Sequence, residues 1–468
     1  MKVSQNNQRL QKTKYLGSNA KNRVELEDKQ RVHRRFSATS NRETSEFEYG
    51  SLERILSREN LLLAMKRVIS NKGSHGVDGM TVYELRQFLK DNWLSIKESI
   101  LNNEYKPMPV RRVEIPKPNG GTRLLGIPTV LDRFIQQAIA QELNYIYDEN
   151  FSENSFGFRP RRGAKDAIQK AETYINEGYR WVVDIDLEKF FDNVPQDKLI
   201  RIVDNVAKDS DITWLIHKYL KAGVMVDGHF EETNIGTPQG GNLSPLLSNI
   251  YLNELDKELE RRQLHFARYA DDCVIFVKTK FSAERVMKNI VTFIENKLKL
   301  KVNAEKTHIT RPNKLKYLGF SFWKDKNEWK IIPHQESFKK LFFKLKKLVK
   351  RSWSIDLTYR IKKINEVLRG WINYYRKSSM KGKLTALGQW LRNAIRVVIW
   401  KQWKLPYTRR TALIKLGLNE NEAKCISNSR KGYQHICHCW SITKAITNEP
   451  LKKRGLLNPL EYYLKPIA

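Results

Sequence analysis

Arg268-Tyr269-Ala270-Asp271-Asp272 closes a short apolar and aromatic run that begins at Phe266, and Cys273-Val274-Ile275-Phe276-Val277 opens a second run at once. Two such runs, parted by so few residues, predict a β-hairpin with carboxylates at its tip. Taken alone, an Asp pair is an ordinary polar turn. Two adjacent like charges nevertheless repel each other unless a cation sits among them. Far upstream, Trp181-Val182-Val183-Asp184-Ile185-Asp186 is another β-type run ending in a carboxylate. If it pairs beside the hairpin, Asp186 is expected to face Asp271, and the acids become a site for two hard divalent ions roughly 3.5–4 Å apart. Residues 182, 184 and 186 share one strand face, so periodicity leaves both Asp184 and Asp186 open as the ligand.

Composition narrows the partner. Lys and Arg number 85 against 51 Asp and Glu, a net charge of +34 in 468 residues. An excess of that size points to a polyanion. A basic ribosomal-type or membrane-surface protein shares the charge but has no use for a buried acid cluster. Hydrophobic content of 40% describes a globular chain, long enough for two or three cores. The four cysteines (Cys273, Cys425, Cys437, Cys439) lack the spacing of a disulfide framework. The N-terminus has no apolar signal core, and no run approaches a membrane span. The expectation is a bacterial cytoplasmic protein without a membrane partner.

Along the chain, residues 1–48 are polar and basic, with Arg31, His33, Arg34 and Arg35 as a knot: a tail, or an arm that orders on RNA. Helical spacing begins at Leu52 and again near Leu85. Val113 to Pro128 reads as two strands joined by an Asn-Gly turn that Lys117 and Arg123 flank. Ser155 to Gly163 alternates aromatic and Arg residues, a pattern suited to stacking and phosphate contact. Gly236-Thr237-Pro238-Gln239-Gly240-Gly241 has a composition for close backbone approach, and the Leu246–Leu259 helix follows it. Beyond a helix over 286–300 come Asn303 and Lys306. Phe338, Leu341, Phe342, Leu345 and Leu348 form an apolar stripe, with Lys339, Lys340, Lys346 and Lys347 around it as a phosphate-facing surface. Further helices run through 361–368 and 387–398. His435, Cys437, His438 and Cys439 lack a second ligand pair, so zinc is not expected.

Together these motifs resemble the bacterial group II intron-encoded reverse transcriptase and maturase family. The likeness rests on the Gly236–Gly241 loop with Leu243-Ser244-Pro245-Leu246-Leu247, on Tyr269-Ala270-Asp271-Asp272, and on Asn303-Ala304-Glu305-Lys306-Thr307. Leu318-Gly319-Phe320 and Arg369-Gly370-Trp371-Ile372-Asn373-Tyr374-Tyr375-Arg376 complete it, from about Ser51 to the C-terminus. The resemblance implies an α+β, right-hand polymerase: fingers over 49–178, a palm with antiparallel sheet over 179–335, a helical thumb and maturase domain over 336–410, and a small basic C-terminal region over 411–468 that could bind DNA. It makes Asp186, Asp271 and Asp272 the catalytic and metal-binding residues. Asp186 is chosen over Asp184 because the family's ligand precedes an aromatic by five residues, as Asp186 precedes Phe191. Two Mg²⁺ ions are implied, with Mn²⁺ as a substitute.

The nucleotide pocket is expected to use Lys117, Arg123, Phe191, Pro238, Gln239, Gly240 and Lys306, with Lys306 as proton donor or charge screen. Arg159, Gly319 and Phe320 are expected at primer and template; Lys339, Lys340, Lys346, Lys347, Arg369 and Arg376 on intron RNA. The implied partners are group II intron RNA, an RNA template with a DNA primer or DNA target, and dNTPs. Many relatives carry an endonuclease after this point, and none is expected here. Alternative readings are a reverse transcriptase of another or host-adapted kind, or an RNA-binding splicing factor without polymerase activity.

Overall fold

The computed structural model describes residues 50–116, 120, 122–207, 209–238 and 240–466. The expected arm over 1–48, Lys117 and Gln239 lie outside the described residues. The strands are β1 (Val110–Pro116), β2 (Thr122–Ile127), β3 (Trp181–Ile185), β4 (Val224–Val226), β5 (His229–Glu231), β6 (His265–Tyr269), β7 (Asp272–Val277), β8 (His308–Thr310), β9 (Phe320–Asp325) and β10 (Glu328–Pro333).

Three sheets result among the described residues. The central one, β6-β7-β3-β8, is antiparallel throughout. Because side chains alternate between faces, each central strand feeds two cores. Val183, Ile185, Phe266, Cys273 and Ile275 join one core, with the Val130–Asp148, Ser244–Arg261 and Lys280–Asn296 helices. Val182, Ala267, Val274 and Phe276 join the other, with the Ala164–Asn176, Gln335–Leu348, Leu357–Tyr374 and Lys381–Gln402 helices. The sheet is therefore covered on both sides, and its polar residues are left at its ends. β1 and β2 form the expected hairpin, and β4 pairs parallel to β1 with β5 beyond it. β9 and β10 make a separate hairpin.

Several helices begin where the sequence supplies a side-chain oxygen for their free N–H groups. Ser51, Thr129, Asp209, Thr279 and Asp356 each accept from the first turn. The result is a mixed α+β protein with a helical C-terminal region from Gln335 onward, as expected.

The region after 410 does not keep a core to itself. Leu413, Leu418, Ile436, Ile442 and Leu451 are buried in the second core beside the long helices. Polar bolts reinforce this contact: the Asn365 amide donates to the Gly455 carbonyl at 2.7 Å and accepts from the Leu457 N–H at 3.0 Å. Arg376 donates to the carbonyls of Tyr462 and Lys465. Cys437 is buried and His438 spends its ring nitrogens on Gln434 and Asn393. Among the described residues, no helix is long and apolar enough to cross a membrane.

Candidate active site

Tyr269 pairs with Asp272, leaving Ala270-Asp271 as a two-residue turn in which Ala270 adopts φ +56°. A left-handed conformation disfavours any residue with a Cβ, so something must hold it. That clamp is Arg268, whose side chain is fully buried beside an equally buried Asp256. A guanidinium has five N–H donors, and here every one has a partner. Nε and Nη2 reach the two Asp256 oxygens at 2.7 and 2.5 Å. Nη2 also reaches Ser155 Oγ at 2.8 Å, and Nη1 reaches Asn249 Oδ1 at 3.1 Å and the Ala270 carbonyl at 2.9 Å. The last bond fixes the turn itself. Gly157 presses on the same turn: a Cβ there would lie 2.3 Å from the Ala270 nitrogen. Asn249 holds the Gly157 carbonyl at 2.7 Å.

Sequence reading missed this brace. Asp256 lies on a helix that reads as an ordinary amphipathic one, and a single Arg in a strand reads as a surface charge.

The β3–β7 ladder runs to Ile185 opposite Cys273. Asp186 is the next residue after that pair, so it follows directly at the end of the sheet where the hairpin acids lie. Asp271 follows in the turn, and both hairpin acids lie within electrostatic reach of Asp186. Asp186 is held by its own backbone: its carbonyl accepts from the Asn303 N–H at 2.9 Å, and its N–H donates to Thr307 Oγ1 at 3.2 Å. Asn303 Oδ1 accepts from the N–H groups of Glu305 and Lys306, which shapes the loop. That loop presents Lys306, whose Nζ is 3.0 Å from Asp186 Oδ2.

Burial and crowding shift the acids upward. Asp272 rises to about 7 through burial and the charges of Asp271, Asp184 and Asp186. Burial, reinforced by Asp186, also raises Asp271, while Arg123 and Lys306 oppose the rise. Asp184, on the same face, is pushed to about 6 by burial, His308 opposing and Asp186 adding to it. Among the described residues no three His, Cys, Asp or Glu side chains are arranged as a ready metal cage. The donor set itself suits a hard divalent ion: all-oxygen ligands whose mutual repulsion such a charge would relieve.

A cavity of about 360 Å³ lies between the β1–β2 hairpin and the glycine loop, lined by Arg112, Leu124, Gly126, Phe191, Gly236 and Pro238 among others. Phe191 is half-buried and its carbonyl accepts from the Thr237 N–H at 2.6 Å. Gly236, at φ +90°, passes so close that a Cβ would lie 2.7 Å from that carbonyl. Gly240 likewise packs against Gly126 of β2, leaving no room for a side chain. Two motifs distant in sequence, the glycine loop and the β1–β2 hairpin, thus meet over Phe191.

The residues of this site fall within a stretch that matches a known family. The family described as reverse transcriptase (RNA-dependent DNA polymerase) matches residues 115–322, and the group II intron maturase-specific domain matches 338–417. Protein YkfC of Escherichia coli (strain K12) is 34% identical over 302 residues, 56% of this chain and 79% of YkfC. The group II intron-encoded protein LtrA of Lactococcus lactis subsp. cremoris is 32% identical over 324 residues, 55% of this chain and 54% of LtrA. This chain belongs to the group II intron-encoded reverse transcriptase and maturase family. It spans most of YkfC but only about half of LtrA. A solved Cas6-RT-Cas1–Cas2 complex aligns over 54% of this chain and 42% of that one, at 24% identity and a TM-score of 0.34.

Against the contacts expected from the group II family, three residues are placed differently. Arg159 does not face a groove: Nε binds Asp148 at 2.7 Å, Nη1 binds the Ser152 and Ser155 carbonyls, and Nη2 binds the Asp148 carbonyl. Phe320 is buried between Tyr374 and Tyr375, at ring distances of 5.3 and 4.7 Å. Arg376 is occupied by the C-terminal segment. Arg159 and Phe320 are thus buried, whereas Arg376 is half-buried with its Nη2 on the Tyr462 and Lys465 carbonyls. Gly319 has φ +81°, and a Cβ there would lie 2.5 Å from the Tyr375 hydroxyl. Tyr374 donates to the Leu318 carbonyl at 2.9 Å, so the Arg369–Arg376 motif buttresses the Leu318–Phe320 turn. Lys339, Lys340, Lys346, Lys347 and Arg369 are exposed.

Proposed function

We propose that this chain is an RNA-directed DNA polymerase that extends a primer on an RNA template with dNTPs and binds its group II intron RNA as a maturase. The observation that carries the reading is the convergence of Asp186, Asp271 and Asp272 at one end of a sheet, beside Lys306. In this reading residues 49–178 are fingers, 179–335 the palm, 336–410 thumb and maturase domain, and 411–468 a basic C-terminal region.

Asp186, Asp271 and Asp272 would hold two Mg²⁺, or Mn²⁺ in their place. Bound there, the ions supply charge that favours the primer 3′-alkoxide and the departing pyrophosphate. The bond formed joins the primer 3′-oxygen to the α-phosphorus, and the bond broken links that phosphorus to the β-phosphate oxygen. Lys306, already beside Asp186, is the donor or charge screen for the leaving pyrophosphate. Arg123 of β2, together with Lys117, binds the triphosphate, an Arg as a forked donor and a Lys as a point charge. Phe191 lines the sugar and base pocket with Pro238 and Gly240, and Gln239 is assigned to the same pocket. The Phe191 ring leaves little space for a 2′-hydroxyl. Gly319 lets backbone approach the primer strand, and the exposed lysines of the Gln335–Leu348 helix contact intron RNA.

The test is primer extension by purified protein on an RNA template with dNTPs and Mg²⁺. Extension that stops on chelation and returns with Mg²⁺ is the expected result. A protein that binds intron RNA but never extends a primer would reduce the reading to its RNA-binding part.

A further inference from the structure

The Lys381–Gln402 helix and the C-terminal segment enclose a second cavity of about 420 Å³, remote in sequence from the aspartates. Its walls include Gln389, Arg392, Asn393, Arg396, Thr443 and Asn448, with no carboxylate and no aliphatic side chain. We propose that this cavity seats a backbone phosphate of a bound nucleic-acid strand. The proposal rests on the reading that the chain binds nucleic acid, and not on its polymerase activity.

Arg396 is buried, and two of its nitrogens are spent on architecture: Nε binds the Ile446 carbonyl at 2.9 Å and Nη1 binds Asn393 Oδ1 at 2.7 Å. Nη2 has no acceptor among the described residues. One turn earlier on the same helix, half-buried Arg392 pairs with no acid among the described residues. Like charges four residues apart on a helix repel, and here burial and Arg392 together depress the Arg396 pKa. A cation is thus repelled, and an apolar ligand finds no wall to bury against. An anion with several oxygens meets the remaining Nη2 of Arg396, the Arg392 guanidinium, which matches phosphate in forked geometry, and further amide and hydroxyl donors. The volume exceeds that of one phosphate and admits its flanking sugar.

The cavity is also composite. Its arginines lie within the maturase-specific match, and Thr443 and Asn448 lie beyond it. Docking of the C-terminal segment therefore completes the site, which gives those residues a part in nucleic-acid binding.

The experiment uses the full chain and its Arg392→Gln and Arg392→Lys variants. Equilibrium binding to a structured group II intron transcript and to a DNA duplex is measured over a series of KCl concentrations, beside primer extension on a simple homopolymer template. For Arg392→Gln the log K against log salt slope should become shallower by about 1, with extension unchanged. Arg392→Lys, which keeps the charge, should keep the slope and lose affinity. A change on the transcript alone assigns the site to RNA, and on the duplex alone to DNA; either supports the proposal. Unchanged slopes on both overturn it, as does thermal protection of the wild type by nucleoside triphosphate that Arg392→Gln abolishes while leaving both slopes intact. A flat salt dependence in the wild type itself would overturn the nucleic-acid reading along with the pocket.

Discussion

Arg268 and the lysines of the Gln335–Leu348 helix use positive charge in opposite ways. Arg268 is sealed from solvent, bonded on every donor, and fixes the backbone of a turn that carries two acids. Lys339, Lys340, Lys346 and Lys347 stand in water without ion pairs among the described residues. A buried charge is defined by its surroundings and tolerates no loss of its partner. An exposed one acts through the field it adds to, and its neighbours barely notice its removal.

The largest effect should come where the buried side meets chemistry. Asp271→Asn is expected to lower primer extension by roughly 10²–10³-fold, the range seen when a positioned electrostatic group is lost. Intron RNA affinity should stay near wild type, and the unfolding midpoint should hold or rise, because a crowded charge is relieved. Steady-state extension, filter binding and a denaturant titration read the three quantities. Comparable loss of extension and RNA binding would mean that the residue supports the fold instead.

Next comes the brace. Arg268→Met leaves Asp256 buried without its partner and should cost about 3–5 kcal/mol of stability. Combining it with Asp256→Leu should recover most of that loss, since an apolar pair of similar volume often replaces a buried ion pair without harm. Urea unfolding of the two variants decides the matter. A double variant no better than the single would show that the remaining polar contacts, to Ser155, Asn249 and the Ala270 carbonyl, matter more than the ion pair.

How much of this was legible follows the same division. The hairpin, β3, the β1–β2 pair and the long C-terminal helices come directly from periodicity and capping residues, which act within a few positions of one another. That acids from two distant stretches end up within electrostatic reach of one another was legible from carboxylates closing two β-type runs, whereas the choice of Asp186 over Asp184 came from the family resemblance. Register was not: that Ile185 stands opposite Cys273 depends on a ladder set by packing on both faces, which no local pattern encodes. Arg268 with Asp256 was invisible for a similar reason, since the partner sits on a different element. Arg159 was misjudged because alternating Arg and aromatic residues look the same whether they face a nucleic acid or fold back on their own carbonyls.

A smaller effect tests close packing over the cavity. Gly236→Ala adds a Cβ 2.7 Å from the Phe191 carbonyl at φ +90°. Strain of this kind costs about 1–3 kcal/mol. Because the displaced group is backbone under Phe191, the KM for dNTP should rise as well, with discrimination against ribonucleotides weakened. Stability lost with an unaltered KM would separate the loop from the nucleotide pocket.

The finest distinction sets Arg159→Gln against Lys346→Gln, two cations that sequence reading assigned to nucleic acid. Arg159 spends its guanidinium on Asp148 and on three backbone carbonyls, with a side chain only 2% exposed. Its removal should cost about 1.5–3 kcal/mol, the range for hydrogen bonds to a charged group, and leave the salt dependence of RNA binding alone. Lys346 is exposed, so Lys346→Gln should shift stability by less than about 0.5 kcal/mol. It should, however, make the salt slope shallower by about 1 if its charge lies on a phosphate. Denaturant titration and salt-series binding on the same two proteins give a crossed result if one charge is structural and the other faces the ligand. Parallel changes in both would mean that burial does not separate the two kinds of cation, and that the lysine-rich helix is a solvated face with no special claim on RNA.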